Sequence, residues 1–134
     1  MSDAMTTPFL CVVLAFALIY IPRIFAAVAQ RKQPEGFDNK HPRDQQARLS
    51  GWGKRAVGAH LNGFEAFAPF AAAVFLCHLA KANVAWSANL AVLFVAARAV
   101  YVALYLANLD KVRTLVWVTG FGATCALFLL PYWG

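Results

Sequence analysis

Four long apolar runs, separated by polar segments, dominate the pattern of residues along this chain. They cover residues 9–29, 52–80, 84–108 and 112–130. An apolar helix of about 20 residues crosses the hydrocarbon core of a bilayer. The runs lack the two-residue alternation of membrane β-strands. The pattern therefore predicts an all-α integral membrane protein with four transmembrane helices in an up-down bundle.

The composition agrees with a chain whose solvent is lipid. Of 134 residues, 61% are hydrophobic and 13% are charged, and the mean hydropathy is +0.58. Soluble domains carry about 25% charged residues. The length predicts one domain, residues 1–134. We expect the first run to be a retained span, since it is longer than a signal-peptide core and follows no cation.

The net charge of +6 is unevenly distributed. Nine of the twelve Lys and Arg residues lie in two stretches, residues 31–55 and 111–113. By the positive-inside rule, both stretches face the cytosol, which puts both termini on the opposite side. The first stretch overlaps a polar cytosolic loop, residues 30–51, with a short helical turn near residues 43–49. Because the cations cluster between spans, nucleic acid is not an expected partner.

Cysteine and metal chemistry have little support in the sequence. Cys11, Cys77 and Cys125 all lie inside apolar runs, where free thiols act as small buried hydrophobes. No set of His, Cys and carboxylate residues has the spacing of a metal site, so no metal is expected.

Polar residues begin the second run, in the stretch "KRAVGAHLNGFE". At 100° per residue, Arg55, Asn62 and Glu65 share one face of a helix, and His60 lies on another. Pro69 has no N–H to donate to the carbonyl of Glu65, so that carbonyl is free for another donor. Ionisable residues inside a span usually face protein, water or a ligand.

A matching polar face lies on the third run, where Arg98, Tyr101 and Tyr105 follow a three-four spacing. If the two faces meet, Arg98 can neutralise Glu65. One interpretation is a buried ion pair that fixes helix register, with packing tyrosines. The other is a pocket for a polar ligand from the cytosol, and the number of polar groups favours it, because each unpaired group in lipid costs about 2–7 kcal/mol.

These residues resemble those of the membrane-associated proteins in eicosanoid and glutathione metabolism, the MAPEG family, over about residues 8–131. In the second run, the resemblance rests on a motif of six residues: Arg55, Ala59, His60, Asn62, Glu65 and Pro69. In the third run it rests on Arg98-x-x-Tyr101-x-x-x-Tyr105, and Arg113 matches an arginine near the start of the family's fourth helix. The long polar loop is similar to that of a bacterial branch.

The resemblance implies a homotrimer with glutathione bound between subunits near the cytosolic face. Arg113 would stabilise the glutathione thiolate as the catalytic residue. Glutathione, as co-substrate, would be bound by Arg55, His60, Asn62, Glu65, Arg98, Tyr101 and Tyr105. The implied function is a glutathione-dependent transferase or peroxidase for lipophilic electrophiles, with a hydrophobic small molecule as second substrate.

One position departs from the family pattern. Gly58 stands where transferase members carry a second arginine that contacts glutathione. Its absence favours an alternative from another class of function. In that alternative the protein is not an enzyme, and it binds a different anionic or lipid ligand or is a structural partner of another membrane protein.

Overall fold

The chain forms five α-helices in a computed structural model that describes residues 6–133. In chain order they are α1 (Thr6–Arg31), α2 (Pro42–Arg48), α3 (Gly51–Leu79), α4 (Val84–Leu106) and α5 (Asp110–Trp133). Helices α1, α3, α4 and α5 are each long and apolar enough to cross a membrane. Residues 6–133 contain no strand. The predicted all-α membrane fold with four spans is confirmed.

Short connections make successive long helices antiparallel. The α3–α4 turn has Lys81 in the left-handed region, at φ 54°, and the Asn83 side chain accepts the Trp86 N–H at 3.0 Å to cap α4. The α4–α5 turn has Asn108 at φ 62°. This second turn lies at the same end of the bundle as the connection between α1 and α3. We call that end the loop end.

Small side chains allow the helices to approach closely. Ala26, Ala56 and Ala59 have no exposed surface, and a Cβ atom on Gly63 would lie 3.3 Å from the Cα of Ile19. Between helices in lipid, such close packing replaces the hydrophobic effect as the main source of association. Near the middle of the bundle, the rings of Phe70 and Phe94 stack at 3.8 Å and join α3 to α4.

Three buried glutamines attach α2 to the end of α1. The Gln30 amide donates to the Gln45 side chain at 3.1 Å, and the Gln46 amide donates to Gln30 at 3.5 Å. Gln45 also donates to the Gly36 carbonyl at 2.7 Å. The helical turn predicted near residues 43–49 is therefore α2, and side-chain hydrogen bonds fix its position.

The fourth long helix extends further than the sequence pattern predicts. The apolar run predicts an end near residue 130, before Pro131, but α5 continues to Trp133. Pro131 has no N–H for the Leu127 carbonyl, four residues earlier. The Cys77 thiol donates to that carbonyl instead, at 3.1 Å. A contact from α3 thus satisfies the group that the proline leaves unpaired.

Candidate functional site

The polar faces of α3 and α4 meet, but not through the direct ion pair that the spacing suggests. Arg98 donates from Nη1 to the Asn62 side-chain oxygen at 2.8 Å, and the Asn62 amide donates to Glu65 at 3.3 Å. Among residues 6–133, the only ion pair within 4 Å joins Arg48 to Glu35. Asn62 therefore links the two charges, and the predicted direct contact between Glu65 and Arg98 is wrong.

Arg98 is the most confined cation of the site. Only 6% of its surface is exposed, and its Nη2 atom has no hydrogen-bond partner. A buried donor without a partner loses its hydration without compensation, at a cost of about 1–3 kcal/mol and more for a charged group. This nitrogen therefore keeps an unused donor within the protein.

Cations and tyrosine rings alternate from the interior toward the loop end. The Arg98 guanidinium lies 4.2 Å from the centre of the Tyr101 ring, and the Tyr101 and Tyr105 rings meet edge to face at 5.7 Å. Arg113, on α5, lies 4.2 Å from the centre of the Tyr105 ring. Cation–π attraction at such distances contributes about 0.5–2 kcal/mol. These contacts hold the positive charges of Arg98 and Arg113 on one side of the bundle.

Arg55 takes part in helix packing at the loop end. Its Nε and Nη2 atoms donate to the Leu106 carbonyl at 3.4 and 3.3 Å. Leu106 is the last residue of α4, where the helix dipole and unpaired carbonyls attract a cation. Arg55 thus joins the start of α3 to the end of α4 beside Tyr105.

Gly58 lies directly beneath Tyr105. A Cβ atom on Gly58 would lie 2.9 Å from Cζ of Tyr105 and would overlap its hydroxyl oxygen. The tyrosine therefore occupies the space into which any side chain at position 58 would extend. Gly58, where the chain departs from the family motif, therefore leaves the space that the Tyr105 ring fills.

His60, which the resemblance implies as a glutathione ligand, lies on a different side of α3. It is 5% exposed, and its Nδ1 lies 2.7 Å from the Ile19 carbonyl of α1. Its ring also packs edge to face with Phe64 at 5.0 Å. His60 joins α3 to α1 and does not line the cavity described next.

A cavity of about 120 Å³ lies between α3, α4 and α5. Its polar part is formed by Asn62, Glu65 and Arg98. The remaining wall is formed by Ala66, Pro69, Phe94, Trp117, Gly120, Phe121 and Thr124. Sequence reasoning did not assign the α5 residues of this wall to the site, although Trp117, Gly120, Phe121 and Thr124 recur at the spacing of one helix face. The cavity combines a cationic donor with aromatic walls inside the membrane-spanning region.

These features define an integral membrane protein of four spanning helices with a buried cationic site between α3, α4 and α5. The MAPEG family model matches residues 7–133, nearly the whole chain, and the chain belongs to the MAPEG family. It is therefore a membrane protein of the kind that acts in glutathione and eicosanoid metabolism. No curated protein and no solved structure matches the chain.

Proposed function

We propose that this protein is a glutathione-dependent transferase or peroxidase that acts on lipophilic electrophiles in the membrane. One observation supports it most: Arg98 is almost fully buried, lines the cavity and has an unpartnered guanidinium nitrogen. A ligand with a carboxylate or carbonyl oxygen would remove the cost of that unpaired donor. Glutathione carries such oxygens, and the association of the MAPEG family with glutathione supports this choice of ligand.

The residues present fit the charges of glutathione. Its two carboxylates need cationic donors, and its amine needs an anionic acceptor. Arg98 and Arg113 supply positive charge, and Glu65 has an exposed carboxylate on the cavity wall. Asn62, Tyr101 and Tyr105 add neutral polar groups between these charges. We propose Asn62, Glu65, Arg98, Tyr101 and Tyr105 as the binding set, with Arg55 supporting the loop end and Arg113 facing the sulfur.

Glutathione would supply a sulfur nucleophile, either for an electrophilic carbon or for a peroxide bond. Only the thiolate form attacks, and a nearby guanidinium stabilises it. Arg113 is half-buried, and its stacking on Tyr105 limits its motion. We therefore assign thiolate stabilisation to Arg113. The aromatic wall of Phe94, Trp117 and Phe121 would hold the apolar substrate, which enters from lipid.

A second copy of the chain would complete the site. Sites for small molecules usually have volumes of about 300–1,000 Å³, and the cavity in one chain is about 120 Å³. This difference supports the homotrimer, in which a neighbouring subunit adds the missing wall. The excess of cations at the loop end supports a cytosolic position for that end and for the site.

A non-catalytic function is the second candidate, and Gly58 favours it. Because Tyr105 fills the space above Gly58, the cation that transferase members carry at this position has no equivalent here. Such a protein would use Arg98 to bind another anionic or lipid ligand, or would support a different membrane protein.

Calorimetric titration of the detergent-purified protein with glutathione tests the proposal. We expect saturable binding that Arg98→Gln weakens at least tenfold. Lys111→Gln is the matched control, since it removes an exposed cation from the same end of the bundle. Absence of binding to the folded wild-type protein at millimolar glutathione would contradict the proposal and favour the non-catalytic function.

A further inference from the structure

The outer face of α1 carries a groove that lies apart from the candidate site. It has a volume of about 380 Å³ and is lined by Tyr20, Arg23, Ile24, Ala27, Arg31 and Phe37. The first five residues recur at the spacing of one helix face, and Phe37 comes from the loop after α1. Residues of α3, α4 and α5 do not line it. The groove therefore faces the surroundings of the bundle.

Two arginines lie toward the loop end of this groove. Arg23 donates from Nη1 to the Gln30 side chain at 3.3 Å. Seven residues of helix span about 10 Å, so the Arg23 side chain extends along α1 toward the loop end. Long basic side chains in a span typically extend this way toward the membrane–water interface. Its guanidinium thus approaches the level of Arg31, the last residue of α1.

The position of Arg23 is fixed, but its charge is not neutralised. Gln30 has no exposed surface, and its amide donates to Gln45 and to the Pro42 carbonyl. Among residues 6–133, neither Arg23 nor Arg31 has a carboxylate oxygen within 4 Å.

The two carboxylates between α1 and α2 have other partners. Glu35 pairs with Arg48 at 3.7 Å, and Asp38 accepts the backbone N–H groups of Lys40 and His41. The described chain therefore supplies no anion to Arg23 or Arg31, and both guanidinium groups are free to bind one from outside the chain.

The rest of the groove is apolar and open to lipid. Ile24 is 64% exposed and Tyr20 is 41% exposed, and both lie further into the span than Arg31. We propose that the groove binds an anionic phospholipid of the leaflet at the loop end. Its phosphate contacts Arg23 and Arg31, and an acyl chain lies along Tyr20 and Ile24. The apolar wall continuous with the arginines favours a lipid over a free phosphate ion.

Lipid titration of the detergent-purified, full-length protein, followed by native mass spectrometry, tests this inference. The probes are phosphatidylglycerol, phosphatidylcholine with the same acyl chains, and inorganic phosphate. We expect the wild-type protein to prefer phosphatidylglycerol, because each cation near an anionic headgroup changes affinity by about fivefold. The preference should fall in Arg31→Gln and disappear in the double variant Arg23→Gln/Arg31→Gln.

Lys40→Gln is the matched control, because it removes an exposed loop cation that does not line the groove. It should keep the preference for phosphatidylglycerol. Equal binding of both lipids to the wild-type protein would overturn the proposal. So would a loss of preference in Lys40→Gln as large as in Arg31→Gln, because it would indicate diffuse electrostatic attraction. Phosphate that displaces the lipid at equal concentration would indicate a free-anion site. A changed subunit number in folded Arg31→Gln would indicate a subunit interface instead.

Discussion

The hydroxyl of Tyr105 occupies the space that a side chain at position 58 would need, so Gly58 and Tyr105 form one packing unit. The Arg113 guanidinium packs on the same tyrosine and lies 4.2 Å from the centre of the Tyr105 ring. A change at position 58 should therefore reach Arg113 through the tyrosine, although Gly58 itself has no functional group.

Gly58→Ala should displace the Tyr105 ring and with it Arg113. The new Cβ would lie 2.9 Å from Cζ of Tyr105, closer than real Cβ contacts. We expect glutathione affinity to fall about tenfold, measured by calorimetry, although alanine favours helix more than glycine does by about 1 kcal/mol. Gly122→Ala, with no atom within 4 Å of the new Cβ, is the control and should bind glutathione as the wild type does. Equal glutathione affinity in both variants would show that position 58 does not affect the site.

Arg113→Ala should separate thiolate formation from binding. In the proposed site Arg113 stabilises the sulfur anion, whereas Arg98 is the deeper, better fixed anion-binding group. We expect the ultraviolet absorbance of the thiolate, seen on adding saturating glutathione to the wild type, to be lost in the variant. Tyr105→Phe keeps the ring under Arg113 and should retain most of that absorbance. Full thiolate absorbance in Arg113→Ala would remove this residue from the catalytic role.

The four spans were predictable because apolar length alone determines whether a helix can cross a bilayer. The two polar faces that meet between α3 and α4 were also predictable, since helical spacing places each polar residue on a defined face. The role of Asn62 as the link between Arg98 and Glu65 was not predictable. Helical spacing gives the direction in which a side chain points but not its distance from side chains on another helix. Asn62 and Glu65 both lie on that face, and only packing decides which of them meets Arg98.

His60 and Pro131 show the other limits of the sequence pattern. A motif match placed His60 in the site, although its helical angle already pointed to another face, and the structure packs it against α1. Pro131 lacks an N–H, which predicts a helix end, but α5 continues through it to Trp133. Its effect was offset by Cys77, 54 positions away, and no local pattern contains such a contact.

The Asn62 link should be visible as an energetic coupling. Asn62→Ala leaves Arg98 without its Nη1 acceptor, and hydrogen bonds to charged groups contribute about 1.5–3 kcal/mol. We expect a loss of that size in the free energy of unfolding in detergent. In an Arg98→Leu background the same change should cost less than about 1 kcal/mol, because the charge is already gone. Additive losses in this double-mutant cycle would contradict the contact.

The loop between α1 and α2 should lose local order in acid. The backbone N–H groups of His41 and Lys40 donate to Asp38 at 2.9 and 3.0 Å and hold the pKa of its carboxyl below the ordinary value. A lowered pKa in the folded state means that the stabilisation is complete above the ordinary value, about 3.9. It is lost as the pH falls through the lowered pKa.

Amide hydrogen exchange, corrected for intrinsic rates, measures this effect. Protection at Lys40 and His41 should be constant near neutral pH and should decrease below about pH 4. In Asp38→Ala it should be low at every pH, while the amides of α3 remain protected. Protection in the wild type that does not change with pH would show that the Asp38 carboxylate does not order the loop.

Two glycines on α5 allow a test of the proposed binding cavity for apolar substrates. Gly120 lines the cavity, and a Cβ atom there would lie 3.6 Å from Ala97, an ordinary contact that the fold can accept. Gly122 is on the same helix and faces open space. Both alanine variants should therefore fold with stability close to that of the wild type.

Gly120→Ala alone reduces the room beside Phe94 and Phe121. In a conjugation assay with saturating glutathione, we expect it to lower kcat/KM for a bulky lipophilic electrophile about tenfold, with little change for a small one. Gly122→Ala should alter neither value, and an equal loss for both electrophiles in Gly120→Ala would show that this cavity does not select the acceptor.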